Sequence, residues 1–197
     1  RIVGVHPPLY FLFEKIVVGL SGTSESGLRL LSALAHLLGL IFIARLGKRV
    51  GGIAGMLAGA WFWAFTPMTI VFSRDARPYA LMAMLSAACL DFFTSAQENS
   101  GSRTLWLAGL CLGMGLITHY FFLLVFGVTL LVVFANLRRR RIFFRRWILV
   151  VMLAILPLLA WLIWFLSLEN PSFGIGWIES PTWIDLPFTF WNLLSGY

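Results

Sequence analysis

The sequence predicts an all-α, polytopic transmembrane bundle of about six spans, preceded by an N-terminal helix lying in the membrane interface. Three observations predict it. Of the 197 residues 60% are hydrophobic and 12% charged, with a mean hydropathy of +0.89; a soluble domain is about a quarter charged. Apolar runs long enough to cross a hydrocarbon core of about 30 Å recur along the chain. The short alternating segments of a membrane β-barrel do not appear.

The first element is "HPPLYFLFEKIVVGL". Its two prolines block a helix upstream and start one downstream. Leu9, Leu12, Phe13, Ile16 and Leu20 share one helical face, with Glu14 and Lys15 opposite. The segment is too short to span and fits an interfacial helix. "SGTSES" makes a turn, with Thr23 or Ser24 as N-cap and Glu25 in the favourable first turn.

The first span covers 27–46 and ends at "RLGKRVGG". Arg45, Lys48 and Arg49 place that end in the cytoplasm by the positive-inside rule. A second span, 53–72, returns outward, so "SRDARP" is a short extracytoplasmic loop. The third, 79–96, comes back in, and Asp91 near its cytoplasmic end is expected to reach that surface. The apolar run 105–137 is too long for one ordinary span, and "THYFF" sits in its middle. A hairpin turning at Thr118 to Tyr120 fits it, because both flanking loops then share one side. Gly109, Gly113 and Gly115 permit short helices to pack closely there. The last span, 147–168, leads outward into a tail carrying Trp177, Trp183 and Trp191 with three acids.

Charge distribution limits the function classes. The net charge is +7, but six of the fifteen Lys and Arg lie in "RRRRIFFRR", between two apolar runs. That is the pattern of a cytoplasmic loop and argues against nucleic acid as a partner. Cys89 and Cys111 fall inside apolar runs and read as small packing residues, not a disulfide. The chain begins at Arg1 and ends within an aromatic segment. It reads as a single membrane-embedded domain, 1–197, incomplete at both ends, with 169–197 the start of an extracytoplasmic loop.

Polar residues gather on the face opposite the arginine run: His6, Glu25, Arg74, Asp75, Arg77, His119 and Tyr120. Asp75 between Arg74 and Arg77 has two readings. One is an interfacial salt bridge capping the third span, with Asp75 accepting helix amides. The other places an acid and two cations at lipid head-group level, where the guanidinium fork suits phosphate. His119 and Tyr120 either satisfy a broken helix or bind a phosphate or hydroxyl at the membrane surface. His36, mid-span and without polar neighbours, is assigned to interhelical hydrogen bonding. No zinc-ligand spacing, phosphate loop or serine-nucleophile motif is present.

The ordered set "HPPLYF", "SESGLRLLSAL", "ARLGKRVGG", "SRDARPYAL" and "THYF" resembles the integral-membrane glycosyltransferases of the GT-C fold. Within them it is most similar to the protein O-mannosyltransferase-like superfamily, which includes bacterial aminoarabinose lipid A transferases. The resemblance covers about Val5 to Arg146. It implies an enzyme that takes a sugar from a polyprenyl-phosphate carrier and passes it to a lipid, glycan or protein acceptor. The expected location is a bacterial cytoplasmic membrane, with membrane lipids around it and the site facing outward. By motif position the resemblance makes Asp75 the catalytic candidate, with a principal acid expected upstream of Arg1. His6, Arg74, Arg77, Tyr79, His119 and Tyr120 become candidates for substrate binding. It implies no certain cofactor, and leaves open a divalent metal and Asp75 as its ligand. The competing classes are a transporter or flippase-like protein, in which broken helices and intramembrane charges also occur, and a non-catalytic membrane scaffold.

Overall fold

The computed structural model describes residues 7–99, 102–135 and 141–168, together with the single positions 182, 183, 187 and 191. All of its regular elements are helices: α1 (Leu9–Ser21), α2 (Glu25–Phe65), α3 (Pro67–Arg74), α4 (Tyr79–Asn99), α5 (Ser102–Leu116), α6 (Phe122–Ala135) and α7 (Arg141–Leu166).

Helix α1 follows Pro8 and stops at Gly22, whose φ of 84° favours glycine. Tyr10 is its buried anchor, while Leu12, Ile16 and Leu20 point away from the protein. That outward apolar stripe is the geometry of a helix in the interface. Ser24 then caps α2, its side chain accepting from Gly27 N at 3.1 Å, and Glu25 pairs with Arg29 one turn on at 2.6 Å.

The 41 residues of α2 are two legs, 25–50 and 53–65, joined at Gly51 and Gly52. Gly52 sits at φ 61°, ψ −146°, a conformation closed to residues with a Cβ. The legs run antiparallel. Gly47 lies against Gly55, and a Cβ on either would strike the other's backbone carbonyl. Further along, Trp63 stacks on His36 with ring centroids 5.8 Å apart and donates from Nε1 to the His36 carbonyl at 3.0 Å. This is small-residue packing of the kind membrane helices use in place of hydrophobic burial. His36 is thus an interhelical contact as expected, but through its ring face and backbone carbonyl.

The span expected over 53–72 is broken. Thr66 is extended (φ −66°, ψ 126°) before Pro67, which opens α3. Proline disfavours helix at the preceding residue and brings no N–H for the Trp63 carbonyl four residues back. The Thr69 hydroxyl contacts that carbonyl at 2.7 Å, and the Thr66 carbonyl at 2.7 Å.

Helix α4 packs between α2 and α5, and α5 packs on α7. The small faces expected of α5 are used: Gly109 meets Val150, Gly113 meets the Ala154 backbone, and Gly115 meets the Phe122 ring. Helices α5 and α6, with 15 and 14 residues, are about 21–23 Å long and turn back at 117–121, as the "THYF" tip predicts. The core is built on Leu85, Phe93, Leu112, Leu116, Phe122 and Trp147. Outside, Leu37, Ile41, Trp61, Leu124, Leu131 and Ile163 stand exposed. Such a surface belongs in lipid. Among the described residues three helices, the folded α2 one of them, are long and apolar enough to cross a membrane.

Candidate functional site at one end of the bundle

From α2 onward the helix direction alternates, so the turns sort into two ends. One end carries the start of α1, the 22–24 turn, the Asp75 loop and the 117–121 turn. The other carries Gly51–Gly52 and the start of α7.

At the first end, four segments meet. The Leu9 amide donates to the Ile117 carbonyl at 3.1 Å, tying the segment after "HPP" to the α5–α6 turn. Ser32, on the first turns of α2 and fully buried, donates to the Asp75 carbonyl at 2.7 Å. Beside Ser32 lies the buried Tyr10 phenol, which donates to Glu14 at 3.4 Å. Burial chiefly pushes that phenol up to about 12, and the charges of Glu14 and Asp75 add to the shift. It is therefore a neutral donor at ordinary pH.

The Asp75 carboxylate faces Arg77, with Nε 3.3 Å from Oδ2. Both side chains are partly open, 39% and 65% exposed, so the pair is a surface contact. The salt bridge of the capping reading is present. Its other half is not seen among the described hydrogen bonds: the group that Asp75 contributes to a bond is its backbone carbonyl. Arg74 ends α3, exposed, and has no ion-pair partner among the described residues.

His119 is buried at 5% exposure, not displayed at a tip. Its Nδ1 accepts from the Phe121 amide at 3.2 Å, and its ring packs on Tyr79 with centroids 5.4 Å apart. Tyr79 in turn packs on Phe72 of α3. Tyr120 is half-buried against Trp161 of α7, and burial raises its phenol. The structure thus brings together Asp75, Arg77, Tyr79, His119 and Tyr120 on one end. His6 lies outside the described residues, as do Arg138 to Arg140 and most of the tail. Among the described residues no three His, Cys, Asp or Glu side chains are grouped to hold a metal ion.

Sequence reasoning missed Tyr10 and Ser32 in this cluster; no local motif marks either. It also misplaced Asp91. That residue is fully buried, clamped by two arginines of the first α2 leg. Arg49 Nε donates to Oδ1 at 2.9 Å and also pairs with Glu98. Arg45 Nε lies 3.0 Å from Oδ2, an ion-pair contact without an aligned hydrogen bond. The physical reason is compensation: a carboxylate at membrane depth is stable where cations neutralise it. Asp91 is thereby a tie between α2 and α4, at the end opposite Asp75.

An apolar groove of about 380 Å³ runs between α5 and α7, from Trp106 to Ile117 and Pro157. It has no titratable lining residue.

A helical bundle with an apolar exterior and helices long enough to cross a bilayer defines a polytopic membrane protein. The chain belongs to the dolichyl-phosphate-mannose-protein mannosyltransferase family, whose model matches residues 5–164. The family is one of membrane glycosyltransferases of the mannosyltransferase type. No curated protein and no solved structure matches the chain.

Proposed function

We propose that the chain is part of a membrane glycosyltransferase that moves a sugar from a polyprenyl-phosphate carrier to a lipid, glycan or protein acceptor. We place the reaction on the extracytoplasmic face of a bacterial cytoplasmic membrane. The observation that carries the reading is the meeting of Tyr10, Ser32, the Asp75–Arg77 pair, Tyr79 and His119 at one end of the bundle. Arg45, Lys48, Arg145 and Arg146 stand toward the other end, which the positive-inside rule puts in the cytoplasm.

The chemistry suits a carrier lipid anchored at the membrane surface. An acceptor hydroxyl oxygen attacks the anomeric carbon, the bond from that carbon to the phosphate oxygen breaks, and the carrier leaves as its phosphate. A carboxylate base takes the hydroxyl proton. Arg74 and Arg77 stabilise the phosphate charge as it develops, and Asp75 holds Arg77 in position for it. His119 and Tyr79 form the wall beside them.

The test uses the full-length protein in membranes with a radiolabelled mannosyl-phosphoryl polyprenol. Asp75→Asn keeps size and removes charge, and transfer is expected to fall about tenfold or more. Arg77→Lys keeps charge but loses the fork, and is expected to weaken donor use chiefly. His36→Gln, whose ring stacks on Trp63 between the two legs of α2 and bonds no residue of the cluster, serves as the control. Near-normal transfer by Asp75→Asn in folded protein would return the "SRDARP" cluster to a structural salt bridge.

A further inference from the structure

Most side-chain hydroxyls along these helices bond locally. Ser21, Ser86, Thr94, Thr118 and Thr129 each donate to a carbonyl three or four residues back, the common way for a helix to absorb a hydroxyl. Ser32 does not. Its hydroxyl reaches 43 residues along the chain to the Asp75 carbonyl. The bond is short at 2.7 Å, and the serine is fully buried.

The acceptor matters as much as the donor. Asp75 is the first residue after α3 and is extended, at φ −98°, ψ 133°. Its carbonyl therefore belongs to no helix, and the orientation of that peptide sets where the Asp75 and Arg77 side chains start. Tyr10 sits against Ser32 as a buried floor, itself packed from α1. The line Glu14, Tyr10, Ser32, Asp75 ends on a backbone carbonyl and not on the carboxylate. A carbonyl holds no transferable proton, so this line is a tether and not a proton relay.

We propose that Ser32 is a positioning residue for the reaction, fixing the Asp75–Arg77 loop so that its arginine meets the phosphate of the lipid carrier. The inference rests on the proposed glycosyltransferase site and adds to it a residue that touches no substrate. Removing one buried hydrogen-bond donor and leaving its carbonyl unmet is expected to lower kcat/KM about tenfold. The loss should appear in the donor KM, because a loosened loop binds phosphate less well. A folding defect would instead lower the amount of active enzyme and leave the donor KM alone.

The experiment combines transfer kinetics with loop motion in the full-length protein, reconstituted in vesicles with radiolabelled mannosyl-phosphoryl polyprenol. A nitroxide is placed at Ala76→Cys in a background whose other reactive cysteines are replaced. In Ser32→Ala the label is expected to gain mobility and the donor KM to rise about tenfold; Ser32→Thr, which keeps the hydroxyl, should restore both. If Thr is too large for the buried site, Ser32→Ala decides by itself: a mobile label with an unchanged donor KM overturns the positioning role. Unchanged label mobility in Ser32→Ala, with Asp75→Asn still impaired, overturns the role of Ser32 alone. A mobile label with undiminished transfer in both Ser32→Ala and Asp75→Asn overturns the proposed site along with it.

Discussion

Asp91→Asn is the sharpest perturbation of the fold. The change keeps shape and removes the charge that two arginines face. Arg49 donates a charge-assisted bond to Oδ1 at 2.9 Å, with 22% of its side chain exposed; a bond of that kind contributes about 1.5–3 kcal/mol. Arg45 is 48% exposed and only ion-paired to Oδ2, so screening reduces its share to about 0.5 kcal/mol. The expected loss is therefore about 2–3.5 kcal/mol, near the lower end of the cost of breaking a buried pair from one side. Replacing both partners should cost far less, because Asp91→Leu with Arg49→Met leaves no buried charge stranded: the Arg45 and Glu98 that lose their partners are each about half exposed and stay solvated. Reversible unfolding in mixed detergent micelles, followed by tryptophan fluorescence, measures each variant, and the double-mutant cycle isolates the coupling. A destabilisation below about 0.5 kcal/mol for Asp91→Asn, with no coupling to Arg49, would refute the clamp.

The hairpin of α2 should be intolerant at its contact glycine: Gly47→Val drives a Cβ into the Gly55 carbonyl and should abolish folded protein in detergent. Gly19→Ala on α1, where nothing lies within 4 Å, should be neutral or raise stability by up to about 1 kcal/mol. Thr69→Val should cost about 1–3 kcal/mol in the same unfolding assay, since it strips the Trp63 carbonyl of the hydroxyl that replaces the missing Pro67 N–H. The Tyr10 phenol is raised from 10.0 to about 12, so its neutral form favours the folded state. That contribution is complete below pH 10 and is lost as pH rises from 10 to 12; at about pH 11 folded wild-type protein and folded Tyr10→Phe should show nearly the same phenolate absorbance, whereas after unfolding the wild type should show one ionised tyrosine more than Tyr10→Phe. Cysteine labelling from outside should modify position 76 and not position 140, and the reverse pattern would invert the proposed orientation.

What the sequence makes legible here is what local rules decide. The Ser24 cap, the Gly51–Gly52 reversal and the turn at 117–121 each depend on a few adjacent residues, and each is where composition places it. The Thr66 break was equally local, written in Pro67, but hydropathy runs unbroken through "TPMTIVF" and hides a backbone fault behind an apolar surface. Asp91 and Ser32 belong to a different kind of information. Each is polar in a greasy helix, and its role is set by a partner 42 or 43 residues away. Spacing along one helix cannot reveal that partner; only the hairpin of α2 and its packing on α4 bring it near. The two ties sit at opposite ends of the same α2–α4 contact, which separates their roles. At the arginine end the side chain itself is enclosed and neutralised, so its chemistry is spent on holding the helices together. At the Asp75 end only the backbone is gripped, and the carboxylate and Arg77 remain partly open. A loop whose main chain is fixed while its charged groups stay partly open is the arrangement that the proposed reading, a surface site for an anionic lipid substrate, requires.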